Sequence, residues 1–199
     1  MMLKRFLAQR LALGAVVALV ATVAYRSIQY VSVDRATVRE SCWTWRWLPF
    51  HPGWLWPYLS MFVIVGLPWL LLRELRQVHR FALCLLGMAA VGWLIFMIYP
   101  TACVRPSAEG QPESYAFLLA LDRPNNCLPC LHSAMAVLAT WALLRGGPVI
   151  LRGPLGQVLL IGWLATICIS IVALRQHTDV DMLAGMALGG AAAWWWSRG

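Results

Sequence analysis

Three long charge-free runs constrain this chain most. Trp54–Leu72 has 19 residues, and Phe81–Pro100 and Leu155–Leu174 have 20 each. None contains Asp, Glu, Lys or Arg. A helix rises about 1.5 Å per residue, so each run reaches across the ~30 Å of hydrocarbon in a bilayer. Backbone groups in lipid must be satisfied internally, which makes these runs helices. Shorter apolar runs at Leu11–Tyr25 (resuming past Arg26 to about Val33), Leu131–Leu144 and Met182–Trp196 bring the spans to six. Across all 199 residues, 61% are apolar and the mean hydropathy is +0.68. A soluble domain cannot hide that much apolar surface. The expected fold is all-α: a polytopic membrane protein with a six-transmembrane-helix bundle. A single membrane domain over residues 1–199 would carry spans at about 11–31, 54–73, 81–100, 131–147, 155–174 and 182–197.

The basic start with Lys4, Arg5 and Arg10, followed by an apolar run, resembles a signal peptide. Its apolar character resumes after Arg26, which favours a retained first span. The net charge of +8 is spread over loops flanking the spans, so nucleic acid is not the expected partner. With the N-terminus inside, nine Lys or Arg residues fall inside and seven outside. That bias places both termini in the cytoplasm. The outer arginines Arg105, Arg123 and Arg175 are then left beside two histidine-bearing segments. Tryptophans 43, 45, 47, 54 and 56 and 194 to 196 flank span entries, as an aromatic belt does. The segment from Ser41 to Tyr58 is expected along the interface. His51 and His79 read as surface residues. Loop 101–129 is the longest connection, and long loops are often functional.

The two histidine segments are Asn126-Cys127-Leu128-Pro129-Cys130-Leu131-His132 and Arg175-Gln176-His177, the latter followed by Asp181. The spans between them cross and return, so both histidines reach one face. His177 and Asp181 are four apart, which on a helix is one turn on one side. The carboxylate could then hold one ring nitrogen and leave the other free to attack. Pro129 suits the first position of a helix, whose unpaired N–H groups would welcome an anion such as phosphate. His132 would sit in that first turn, placed to protonate a leaving oxygen.

These residues resemble the motifs of the type 2 phosphatidic acid phosphatase superfamily: Lys-x6-Arg-Pro, Pro-Ser-Gly-His and Ser-Arg-x5-His-x3-Asp. The segment Asn126 to His132 is similar to the second motif, closest to the form found in the inositol phosphorylceramide synthase-like branch. Ser170, His177 and Asp181 fall at the third motif's spacing, with Gly185 following. Tyr99-Pro100-Thr101 and Arg105-Pro106 resemble a reduced first motif. The likeness extends from about Phe81 to the C-terminus. Three departures stand out. Lys4 is the sole lysine, so the first motif has none; Cys130 replaces the usual Ser; and Ile171 replaces the Arg of the third motif.

The resemblance implies a lipid phosphatase acting on a lipid phosphomonoester or pyrophosphate. The catalytic residues would be His177 (nucleophile), Asp181 (orienting His177) and His132 (acid and base). Phosphate contacts would come from Arg105, Arg175, Asn126, Cys130 and Arg123. It implies no metal and no cofactor, a membrane lipid phosphate as substrate, and a site on the outer (periplasmic or lumenal) face. A phosphotransferase with a lipid or alcohol acceptor is the alternative, since both reactions share a phosphohistidine. From another class, Cys127 and Cys130 form a Cys-x-x-Cys that would suit a membrane thiol-disulfide oxidoreductase, with Cys42 and Cys103 as its candidate second pair; that reading leaves His177, Asp181 and Arg175 unexplained. A Zn site from Cys127, Cys130 and His132 lacks a fourth ligand. An inactive scaffold would not need both histidines and the aspartate.

Overall fold

The computed structural model describes residues 2–39 and 42–198. Ser41, where the expected interfacial segment begins, lies outside the described residues. Eight helices and two short strands follow one another: α1 (Met2–Ser32), β1 (Thr37–Arg39), α2 (Leu55–Leu71), α3 (Leu75–Ile98), β2 (Thr101–Cys103), α4 (Glu113–Leu121), α5 (Leu131–Gly146), α6 (Val149–Arg152), α7 (Pro154–Ala173) and α8 (Asp179–Ser197). Of these, α1, α2, α3 and α7 are long and apolar enough to cross a membrane. The expectation was six such helices in an all-α chain. The fold is nearly all-α, and α5 and α8 fall short of that standard. α5 has 16 residues and α8 opens on two buried aspartates.

The short α5 is also the most deeply set helix. It is the central helix, buried on nearly every side: Ala134, Leu138 and Ala142 face one apolar cluster while Ala136 and Leu143 face another. A helix that is apolar all round belongs in an interior. The first cluster joins α5 to α1, α2, α3 and α8 through Val17, Trp69, Phe81, Met88 and Trp196. The second joins it to α2, α4 and α7 through Tyr58, Ile64, Tyr115, Ile167 and Leu174.

The closest approach is between α5 and α8. A Cβ at Gly185 would collide with the Cys130 carbonyl, and one at Gly189 with the Ala134 carbonyl. Only hydrogen at these positions lets the backbones meet, as small residues do where membrane helices pack. Polar bonds pin the same ends together. Cys130 N–H donates to the Asp181 carbonyl at 2.9 Å, and the Ser133 hydroxyl lies 2.9 Å from the Met182 carbonyl.

The long loop 101–129 is structured, contrary to a reading as bare connection. β1 and β2 pair in parallel, with Val38 opposite Ala102. β2 then ties down the segment before α5. Cys103 N–H donates to Pro124 O at 2.9 Å, Cys127 N–H to Thr101 O at 3.2 Å, and Leu128 N–H to Thr101 Oγ1 at 2.9 Å.

Helix α1 is clasped at both ends. The Arg10 guanidinium donates to the Leu70 and Arg73 carbonyls at 3.3 and 3.1 Å, capping the frayed end of α2. At the other end the Ser32 hydroxyl donates to Asn126 Oδ1 at 2.7 Å, and Asn125 Nδ2 donates to Gln29 O at 2.8 Å.

Adjacent glycines test the α5–α8 contact. Gly189→Ala should cost roughly 1–3 kcal/mol, as overpacking does. Gly190 has no atom within 4 Å of an added Cβ, so Gly190→Ala should gain about 0.5–1 kcal/mol from helix propensity. Unfolding in detergent should give the two variants opposite signs.

Candidate active site

His177 lies in the turn between α7 and α8 rather than on a helix with Asp181. The N-cap of α8 is Thr178, and Asp181 closes a capping box on it. Thr178 N–H and Oγ1–H both donate to Asp181 Oδ2, at 2.8 and 2.7 Å. The His177 ring takes a different partner: its Nδ1 is 3.0 Å from the Cys127 carbonyl. A carbonyl only accepts, so Nδ1 carries the proton and Nε2 carries the lone pair.

Nε2 of His177 is 3.2 Å from Nδ1 of His132. With Nε2 accepting, His132 Nδ1 is the donor, and His132 Nε2 accepts the Tyr58 hydroxyl at 2.8 Å. Tyr58, His132, His177 and the Cys127 carbonyl thus form one chain of hydrogen bonds with a fixed direction. Pro129 does not open α5 as expected. It precedes Cys130, which is the N-cap, so His132 occupies the second helical position.

Asp181 Oδ1 is buried without a partner. Its carboxylate, the Cys127 thiol and a His177 nitrogen lie within 4.8 Å of one another, and Cys130, His132 and His177 form a second such group. Either set of mixed sulfur, nitrogen and oxygen donors could hold a soft divalent ion such as zinc, and both would occupy His177.

Arg105 lies in a buried pair. It donates to the Asp122 carbonyl at 2.6 Å and to Asp122 Oδ2 at 3.1 Å. The side chains are 6% and 15% exposed, so losing one partner alone would leave a stranded charge, at a cost of roughly 3–5 kcal/mol. The other oxygen of Asp122 accepts from the Tyr25 hydroxyl at 2.9 Å and Gln29 Nε2 at 3.1 Å. Burial pulls the Asp122 carboxyl up, but Arg105 and the hydroxyl bond outweigh it and hold the group below its ordinary range. Burial, and then the Arg105 charge, lower His177 from near 6.5 to about 4.

The remaining expected phosphate contacts are dispersed. Cys130 is beside both histidines. Asn126, with φ of 63°, gives its Oδ1 to Ser32, and its buried Nδ2 has no partner. The Arg175 guanidinium sits 4.4 Å over the Trp45 ring and donates to the Leu48 carbonyl at 3.3 Å. It staples the Trp43–Leu48 stretch to the turn before His177. The same stretch is held by Asp179, which accepts from the Thr44 N–H at 3.2 Å and from its hydroxyl. Arg123 is exposed, 5.9 Å from the Tyr30 ring.

Tyr58, Tyr25, Gln29 and Asp122 were not singled out from the sequence. A tyrosine that opens an otherwise apolar span was the available signal, since a buried phenol needs a partner. All six cysteines are free and buried. Burial raises the Cys127 thiol well above its ordinary value, despite the nearby Arg105, the opposite of a reactive thiolate.

Residues 99–199 match the sequence model of the PAP2 superfamily, beginning at the Tyr99-Pro100-Thr101 segment. The chain belongs to this superfamily, whose members are phosphatases and phosphotransferases acting on lipid phosphates. Membership, together with four helices fit to span a bilayer, makes it a membrane protein. No curated protein and no solved structure matches the chain.

The depressed His177 sets a pH window for stability. Between pH 6.5 and about 4 the unfolded chain binds a proton at this position and the folded chain does not. Stability should therefore be full above pH 6.5 and fall as acid is added through that window. Thermal unfolding across it should be less steep in pH for His177→Gln than for the parent.

Proposed function

We propose that this protein is a membrane lipid phosphatase working through a phosphohistidine at the outer interface, in a bundle where α5 and α8 complete six spans. The observation that carries the reading is the 3.2 Å contact between His132 Nδ1 and His177 Nε2, with the far nitrogen of His177 fixed by the Cys127 carbonyl. A nucleophile with its lone pair aimed at a second imidazole is the pairing that phosphoryl transfer needs.

The substrate phosphate enters between the two rings. His177 Nε2 attacks phosphorus, forming the P–N bond as the P–O bond to the lipid alcohol breaks. His132, neutral before substrate enters, takes up a proton with the phosphate anion, turns the Tyr58 bond round so that Nε2–H donates to Oη, and gives its Nδ1 proton to the leaving oxygen. It then removes a proton from water, whose oxygen attacks phosphorus and releases phosphate and free His177. Asp181 acts through the backbone, holding the turn that carries His177, while its buried charge favours the phosphorylated ring. Arg105 serves the phosphate once the ligand competes with Asp122 for its donors, for which a guanidinium fork is well suited. An alcohol in place of water would make the same intermediate a transferase, and the Arg175-Gln176-His177 sequence is the feature that favours that second reading.

Purified protein with lipid monophosphates and pyrophosphates, EDTA present, should release phosphate. His177→Ala should lose roughly 10³-fold or more, and His132→Ala about 10²–10⁴-fold. Denaturing alkaline quench of a labelled pyrophosphate lipid, whose leaving phosphate needs little protonation, should trap phosphate on His177 in His132→Ala. Full turnover by His177→Ala would end the reading, and a new lipid product with an added alcohol would move it to transfer.

A further inference from the structure

A single groove leads away from the histidine pair along the inner side of α1. It encloses about 420 Å³ between α1, α2, α3 and α5. His132, Tyr58 and Asp122 stand at one end and Gly14 and Trp69 at the other. On α1 the lining runs from Gly14 to Tyr25 and Arg26 along one helical stripe, with the small residues Ala18, Ala21 and Thr22 in its middle. From Gly14 to Tyr25 the helix rises about 17 Å. That is close to half of the ~30 Å hydrocarbon core, the depth of one leaflet. The groove's walls are mostly apolar, as an aliphatic chain requires.

The groove is framed rather than left over. Arg10 clasps α1 to the end of α2, and Tyr25, Gln29 and Ser32 clasp it to the loop before α5. Between these clasps α1 packs along α3, and the groove runs beside that contact. The far end is closed where Trp69 packs on Gly14, 3.1 Å from where a Cβ would stand. Trp93 lines the same groove, and its buried indole N–H has no acceptor. Its neighbour Gly92 packs on Leu131, which sets Trp93 at the level of His132. A buried donor without a partner calls for an oxygen from a ligand.

We propose that this groove holds a hydrocarbon chain of the lipid phosphate, that Trp93 donates to an oxygen joining head to chain, and that the Gly14–Trp69 contact limits chain length. This rests on the phosphatase reading for the head group only. The chain's place depends on the groove and its continuity with His132.

Two measurements test it. A single-chain lipid phosphate with a diazirine at the chain terminus is photolysed on the full protein in nanodiscs, and adducts are mapped by mass spectrometry. Adducts near Gly14, Trp69 and Leu85, competed by unlabelled lipid phosphate, support the groove. Adducts confined to the outward faces of α1 or α7 overturn it. Separately, kcat/KM is measured for short and long single-chain phosphates. The long-to-short ratio should fall at least tenfold in Gly14→Leu, rise in Trp69→Ala, and stay put in Gly162→Leu, whose added side chain meets nothing on α7. An unchanged ratio in both groove variants refutes the length limit. Competed adducts at the groove floor without phosphate release would sink the phosphatase reading and leave the groove standing. Release with adducts elsewhere would do the reverse.

Discussion

The Cys130 and Ala134 carbonyls occupy the space where Cβ atoms at Gly185 and Gly189 would be. Everything at the site follows from that approach. It brings the start of α8 against the start of α5, so the turn before one helix and the first turn of the other share a volume. His177 and His132 come from those two places. Neither α5 nor α8 has the length and apolarity of a lone spanning helix. Their stability comes from each other, and the site is built at the join.

Polar satisfaction then fixes the chemistry. The Cys127 carbonyl can only accept, so the protons on both imidazoles are assigned in sequence as far as the Tyr58 hydroxyl. The loop carrying that carbonyl is held by β2 rather than by its own helix. Arg105 and Asp122 add a buried charge pair whose members are worth keeping only together. In the proposed mechanism an entering anion would compete with Asp122 for Arg105. The missing lysine and the Cys in place of Ser leave few permanent donors around the histidines, so that exchange matters more here.

The sequence made four spanning helices, the histidine pair and the superfamily legible because each has a local signature: a run without charge, or fixed spacing around His. It misplaced what depends on tertiary direction. His177 and Asp181 were expected on one helix because four-residue spacing is helical, but the capping demand of Thr178 starts the helix between them. Arg175 was expected on phosphate because it is two residues from His177. Its left-handed backbone, φ 59°, accompanies a side chain that reaches Trp45. Tyr58 and Asp122 were passed over because their partners lie far away in sequence, with no periodicity to connect them.

The two clasps on α1 have one more consequence. Arg10 and Gln29 are about 28 Å apart along the helix, nearly the thickness of a bilayer's hydrocarbon. The wall of the groove is thus tied to the core at two points about one hydrocarbon thickness apart. A helix so held meets a thicker or thinner bilayer by tilting, and its tilt would open or pinch the space behind it. Bilayer thickness would then act on the groove through a helix that contributes no group to the proposed chemistry.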